Sequence, residues 1–194
     1  EKLLAQIESG HKAFAFASGM SAINTVCDLF GTNFHIICSD DVYGGTRRLF
    51  DKVKSDIEVT YIDFDKNVNW NDEIKENTKF IWVETPSNPL MKIIDIKNTV
   101  SIASEFNLPV ICDNTFASPF NQRPLELGAD MVVSSSTKYL GGHSDIVGGS
   151  IVIKENKEYA EKISYIQNAV GAIPSPFDCY LLIRSIKTLS VRMK

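Results

Sequence analysis

The sequence predicts an α/β fold, with a mostly parallel sheet and helices on both faces. Three observations predict it. Short apolar runs alternate with amphipathic stretches along the chain. Several runs, such as Phe80-Ile81-Trp82-Val83, are continuously apolar, the pattern of strands covered on both sides. Polar residues gather directly after the runs, and open α/β sheets bind ligands outside the carboxyl ends of their strands.

In chain order, Phe16-Ala17-Ser18-Gly19-Met20-Ser21-Ala22 reads as a strand-to-helix junction, with the helix over Ser21 to Phe30. Strands are expected at Ile36-Ile37-Cys38, Ile57–Ile62, Lys79–Glu84, Val110–Asp113, Ala129–Ser134 and Gly149–Ile153. Asp95 is a suitable N-cap, and Ile96, Val100, Ala103 and Phe106 then share one helical face, with Pro109 beyond the expected stop. A last helix is expected over Glu155 to Gln167. Strand–helix alternation of this kind places helices on both faces of one sheet.

The 194 residues suit one domain, and 44% hydrophobic content supplies a substantial core. A net charge of −4 without a basic block gives nucleic acid no electrostatic footprint. No apolar run reaches the ~18 residues that span a bilayer, and the short amphipathic start, Glu1 to Ile7, is unlike a signal peptide. The expectation is therefore a cytoplasmic protein without a membrane or nucleic-acid partner. Cys27, Cys38, Cys112 and Cys179 form no CxxC or zinc spacing, so no metal is expected. Cys38 and Cys112 end apolar runs, where a free thiol acts as a small buried hydrophobe.

Three polar segments follow three successive strands: Glu84-Thr85-Pro86-Ser87-Asn88-Pro89, Asp113-Asn114-Thr115 and Ser134-Ser135-Ser136-Thr137-Lys138. They suggest one shared site. Lys138 just after a buried strand would be partly withdrawn from water, which makes an amine a better nucleophile, and the hydroxyls of Ser135 and Thr137 could hold a phosphate. By itself the segment also reads as a surface lysine in a hydroxyl-rich turn. The Asp113 carboxylate could hold a cationic ring nitrogen, or could cap a turn. Gly19 and Met20 open a helix whose free N–H groups suit an anion, or belong to a plain capped turn. Tyr43, beside Gly44 and Gly45, could stack on a planar cofactor and move a proton, or could anchor a turn. His143, after Gly141 and Gly142, reads as structural, and His11 and His35 have no partner pattern.

Together these segments resemble the Cys/Met-metabolism family of fold-type I pyridoxal 5'-phosphate (PLP) enzymes. The resemblance runs in family order through Ser18-Gly19-Met20, Asp41-Val42-Tyr43-Gly44-Gly45-Thr46, Glu84 to Pro89, Asp113-Asn114-Thr115-Phe116, Ser136-Thr137-Lys138-Tyr139 and Gly142-His143-Ser144-Asp145. It implies that Lys138 is the Schiff-base lysine and proton shuttle, that Asp113 pairs with the pyridine nitrogen, and that Tyr43 stacks on the ring. It further implies phosphate binding by Gly19 and Met20 with Ser135 and Thr137, ring support by Thr115, and substrate contacts from Asn88 and Arg48.

Within the family the sequence is most similar to the cystathionine γ-lyase branch. Gly171 to Tyr180 and Ile186 to Met193 carry that similarity. The methionine γ-lyases have cysteine where this chain has Gly45. The implied reaction cleaves L-cystathionine to L-cysteine, 2-oxobutanoate and ammonia by β,γ-elimination. The alternatives are γ-replacement by a cystathionine γ-synthase, a methionine γ-lyase-like activity, and a non-catalytic binding or scaffold role. The resemblance also implies a homotetramer built from dimers that share active sites. On this reading residues 1–194 are the PLP-binding large domain. The family's N-terminal segment and small C-terminal domain lie outside them, and the core is expected to show little lyase activity by itself.

Overall fold

The computed structural model describes residues 1–64, 66 and 68–194. Among these the strands are β1 (Lys12–Phe16), β2 (Phe34–Ser39), β3 (Ile57–Ile62), β4 (Thr78–Glu84), β5 (Val110–Asp113), β6 (Met131–Ser134) and β7 (Gly149–Ile153). The longer helices are α2 (Gly19–Leu29), α5 (Ile96–Glu105), α7 (Lys157–Val170) and α8 (Pro176–Ile186). Shorter ones are α1 (Lys2–Ile7), α3 (Gly44–Arg48), α4 (Trp70–Glu73), α6 (Ser118–Asn121) and α9 (Leu189–Arg192), with a π-helical turn over Leu49–Val53.

One sheet runs in the order β1-β7-β6-β5-β4-β2-β3. The pairs among β2 to β6 are all parallel, and β7 runs antiparallel to both β6 and β1. The mostly parallel sheet expected from the apolar runs is therefore present. Its alternation is two-sided. Ile36 and Cys38 pack with Ala22, Ile23 and Val26 of α2 and Ile163 of α7. Ile37 points the other way and packs with Ile96 and Ala103 of α5. Farther along that second face, Ala13, Ala15 and Val152 cover Leu4 and Ala5 of α1. Every residue of β2, β5, β6 and β7 is buried, so no polar alternation could mark those strands. Each buried large apolar side chain contributes roughly 1.5–3 kcal/mol. Trp82 is fully buried edge-on to Phe50, with ring centroids 5.6 Å apart.

Element ends shift for local reasons. Ser18 and Ser21 form a reciprocal capping box, so α2 begins at Gly19 rather than Ser21. Asn156 accepts the Tyr159 N–H at 3.0 Å, so α7 begins at Lys157 rather than Glu155, and left-handed Gly171 stops it beyond Gln167. Asp95 caps α5 as expected, accepting the Asn98 N–H at 3.0 Å. The Ala129 N–H turns back to the Pro124 carbonyl, leaving β6 to begin at Met131.

Candidate active site

β4, β5 and β6 are adjacent and parallel, so their carboxyl ends lie side by side. Glu84 and Asp113 are register partners at the ends of β4 and β5. The turn after β6 carries Ser135 to Lys138, closed by the Lys138 N–H to the Ser135 carbonyl. Above these ends lies a cavity of about 410 Å³. Its walls include Gly19, Met20, Tyr43, Asn88, Asp113, Thr115, Ser135, Thr137 and Lys138. Of the residues singled out from sequence, only Arg48 is not among them; it lies exposed at the end of α3.

The floor is acidic. Burial raises the Asp113 carboxyl above its ordinary range, opposed by hydrogen bonds from Thr115. Burial, then the nearby Asp113 charge, raises Glu84 in the same direction. Two buried carboxylates side by side favour holding a proton between them. Asp113 Oδ1 accepts the Thr115 N–H at 3.0 Å and the Thr115 hydroxyl at 2.5 Å. Thr115 Oγ1 in turn accepts the Ser135 N–H at 2.9 Å. Thr115 therefore ties the β5 carboxylate to the turn that bears Lys138.

The opposite end suits an anion. Gly19 and Met20 form the first turn of α2, which contains no acidic residue. A Cβ on Gly19 would lie 2.9 Å from the Ser135 Cβ, so glycine is what lets the helix start approach this turn. Thr137 is already engaged: its hydroxyl accepts the Gly148 N–H at 3.0 Å and donates to the Gly148 carbonyl at 3.2 Å. Tyr43 stands at the rim, 45% exposed, its backbone N–H donated to Glu84 Oε2 at 2.9 Å.

Two sequence expectations are corrected or extended. The withdrawal of Lys138 from water is not found, because the turn carries it past the buried strand end to the exposed mouth of the cavity. Glu84 carries no role in the sequence pattern, yet it lines the cavity and is buried. The signal that found Asp113, a carboxylate ending a buried strand, applied equally to Glu84. Ser18, Ile23, Pro86, Phe116 and Val133 complete the lining and gave no such signal. His143 is exposed outside the cavity lining, its Nδ1 2.6 Å from the Gly141 carbonyl. The cysteines are free, and burial pushes the thiols of Cys38 and Cys112 well up.

These residues fit PLP. Among the described residues no ion pair reaches Glu84 or Asp113, so the floor lacks the cation that a pyridinium nitrogen would supply. The anion-favouring start of α2 suits the phosphate, and Lys138 brings an amine to the same space.

The comparisons agree. The family model for the Cys/Met metabolism PLP-dependent enzymes matches residues 1–194. A cystathionine β-lyase of Coxiella burnetii is 47% identical over all of this chain and 51% of its own length. A probable cystathionine γ-synthase of Herpetosiphon aurantiacus is 49% identical over 98% of the chain and 60% of its own length. The crystal structure of a cystathionine γ-lyase from Lactobacillus plantarum, complexed with L-serine, superposes with a TM-score of 0.93 at 47% identity. It is matched over 97% of this chain and 50% of that one. The chain thus spans about half the length of these relatives. With a family model matching from end to end, and a fold and cavity that suit its cofactor, the chain belongs to the Cys/Met metabolism family of PLP-dependent enzymes.

Proposed function

We propose that this chain is the cofactor-binding large domain of a trans-sulfuration carbon–sulfur lyase. Its reaction converts L-cystathionine and water to L-cysteine, 2-oxobutanoate and ammonia. The observation that carries the proposal is the meeting of Lys138, Asp113, Tyr43 and the start of α2 on one cavity.

When bound, PLP supplies an electron sink for the charge left as the substrate Cα–H bond breaks. The chain's own groups do the rest. Asp113, steadied by Thr115, keeps a positive charge at the floor. The N-terminal turn of α2, with Ser135, holds a phosphate, and Thr137 shapes that wall through Gly148. The Lys138 amine, free to swing at the mouth, would take the proton from Cα and then one from Cβ, so that the electron pair left at Cβ expels sulfur from Cγ. A proton handed to the sulfur releases it as the cysteine thiol, another is taken up at Cγ, and water then frees 2-oxobutanoate and ammonia. Tyr43 covers the ring face and offers its hydroxyl to the leaving sulfur. Asn88 orients the substrate carboxylate. Arg48, outside the cavity, is assigned a substrate contact only through resemblance.

Gly45 favours cystathionine over methionine γ-lysis. A Cβ there would lie 2.3 Å from Tyr43 Cε1 and 2.9 Å from Met20 Sδ, so no side chain fits without moving that ring. The same-family reading is γ-replacement, favoured by the synthase among the relatives. A homotetramer is also proposed, supported by exposed Leu90, Met91 and Ile93 beside the Asn88 loop, and light scattering on the holoenzyme tests it. A cytoplasmic location is proposed as well. Among the described residues no helix is long and apolar enough to cross a membrane.

The deciding experiment gives the holoenzyme L-cystathionine and identifies the keto acid. 2-Oxobutanoate is expected. Pyruvate would indicate β-elimination, and cystathionine formation from an activated homoserine plus cysteine, without cleavage, would indicate the synthase. Borohydride reduction followed by peptide mapping should place the pyridoxyl label on Lys138, and K138A should abolish turnover. An unlabelled protein without turnover would leave the scaffold reading.

A further inference from the structure

Glu84 lies outside the roles assigned above. It is the last residue of β4, 5% exposed, and it faces the cavity beside Asp113. A carboxylate there is costly, because it is taken from water and set against a second carboxylate. Packing alone would be better served by an apolar side chain.

Its hydrogen bonds show what offsets the cost. Glu84 Oε2 accepts the Tyr43 backbone N–H at 2.9 Å, and the nearby Asn88 backbone favours its charged form. Its own N–H goes to the Ser39 hydroxyl at the end of β2, at 3.3 Å. The connection is returned from the other side. The carboxylate of Asp41, two residues before Tyr43, accepts the Ser87 hydroxyl and, at 2.9 Å, the Leu90 N–H. Ser87 Oγ then accepts the Lys92 N–H at 2.8 Å. Two carboxylates thus lock the loop after β2 against the loop after β4, each gripping the other's backbone. Tyr43 and Asn88, with Pro86, are the residues these loops present to the cavity.

We infer that Glu84 is a positioning residue: by holding the Tyr43 backbone N–H within this pair of locked loops, it sets where the tyrosine ring and the asparagine amide stand over the bound cofactor. The inference rests on the cavity being the PLP site, and not on which elimination follows. It makes reach as important as charge. An aspartate keeps the charge but ends one methylene short of the Tyr43 N–H. A glutamine keeps the reach but can accept through only one of its two terminal atoms.

The test compares wild-type, E84Q and E84D holoenzymes. Thermal melts first establish folding. The readouts are PLP affinity by fluorescence titration, the induced circular dichroism of the cofactor's visible band, and KM and kcat separately. Both variants should bind PLP about 10-fold more weakly, the loss of one buried charge-assisted hydrogen bond. Both should show a diminished induced dichroism, and KM should rise more than kcat falls. A purely structural role would lower the melting temperature and leave the dichroism of the folded protein unchanged. If E84Q fails to fold, E84D decides by the same readouts. Wild-type dichroism and affinity in a folded variant, with the wild type labelled on Lys138, would overturn the inference alone. Absence of that label from the wild type would sink the site reading and this inference with it.

Discussion

The sheet buries carboxylates in two places, and the contrast shows what makes one of them a site. Glu84 and Asp113 sit on the cavity floor, while Glu8, at the end of α1, is 1% exposed behind it. Burial raises all three, Glu8 to about 8. Their surroundings differ. Glu8 faces the Asn114 amide at 3.4 Å. That amide also donates to the Gln122 carbonyl at 2.9 Å, and Gln122 Nε2 donates to Asn114 Oδ1 at 3.0 Å and to the Thr85 carbonyl at 2.9 Å. This network is closed on itself. The Glu84–Asp113 pair opens instead onto space that a cation can enter. A raised carboxylate therefore marks buried architecture as readily as chemistry, and the open cavity separates the two.

The strongest way to break this contrast is to neutralise one member of each group. D113N keeps shape and removes the charge facing the cavity. Turnover by the holoenzyme should fall by on the order of 10²–10³, as for loss of one preorganised electrostatic group. E8Q, made behind the floor, should leave turnover close to wild type. Equal losses in steady-state assays would show that the two places do not differ as argued.

Stability against pH sharpens the contrast from the other side. The folded-state pKa of Glu8 lies above its unfolded value, so the native state binds the proton more tightly. Its contribution is complete below about pH 4.5 and is lost as pH rises through about 8. E8Q removes that loss. In denaturant melts of the apoprotein it should gain about 1–3 kcal/mol on wild type between pH 6 and pH 9. Glu84 and Asp113 keep their own slope in both proteins, so an unchanged difference between the two pH values would refute the assignment to Glu8.

A smaller effect tests the rim. G45A or G45C must displace the Tyr43 ring, at about 1–3 kcal/mol of overpacking, and PLP affinity should drop accordingly. Unaltered affinity in a fluorescence titration would mean that the ring yields freely and does not hold the cofactor.

The parts of the molecule legible in the sequence share a physical signature. Val110 to Asp113 and Ala129 to Ser134 announce themselves as strand-like runs ending in polar groups, and they hold β5 and β6, adjacent parallel strands whose ends build the floor. β1 was legible only as the approach to Ser18, because its position at the sheet edge depends on pairing with β7, far along the chain. Lys138 was placed correctly at a strand end, but its exposure depends on a four-residue turn that periodicity does not encode. Glu84 required the register: only the alignment of β4 with β5 sets it beside Asp113. The Glu8 network was illegible, since its partners are brought together by tertiary packing alone.

The smallest expected effect compares two helix caps, each with a side chain that accepts the N–H three residues on. Ser18 accepts the Ser21 N–H at 3.0 Å and opens α2 on the cavity, while Asn156 accepts the Tyr159 N–H at 3.0 Å and opens α7 away from it. Replacing either cap with alanine strands one helix N–H and should cost about 1 kcal/mol, a fall of roughly 2–4 °C in Tm for a chain of this size. The two losses should be alike, because the bonds are alike. Only S18A should also weaken PLP binding, since α2 begins with Gly19 and Met20 at the cavity wall and fraying moves the N–H groups that meet the phosphate. A PLP titration of both variants reads the difference. If N156A weakens PLP as much as S18A, the first turn of α2 has no special part in holding the cofactor, and the anion end of the cavity must be sought elsewhere.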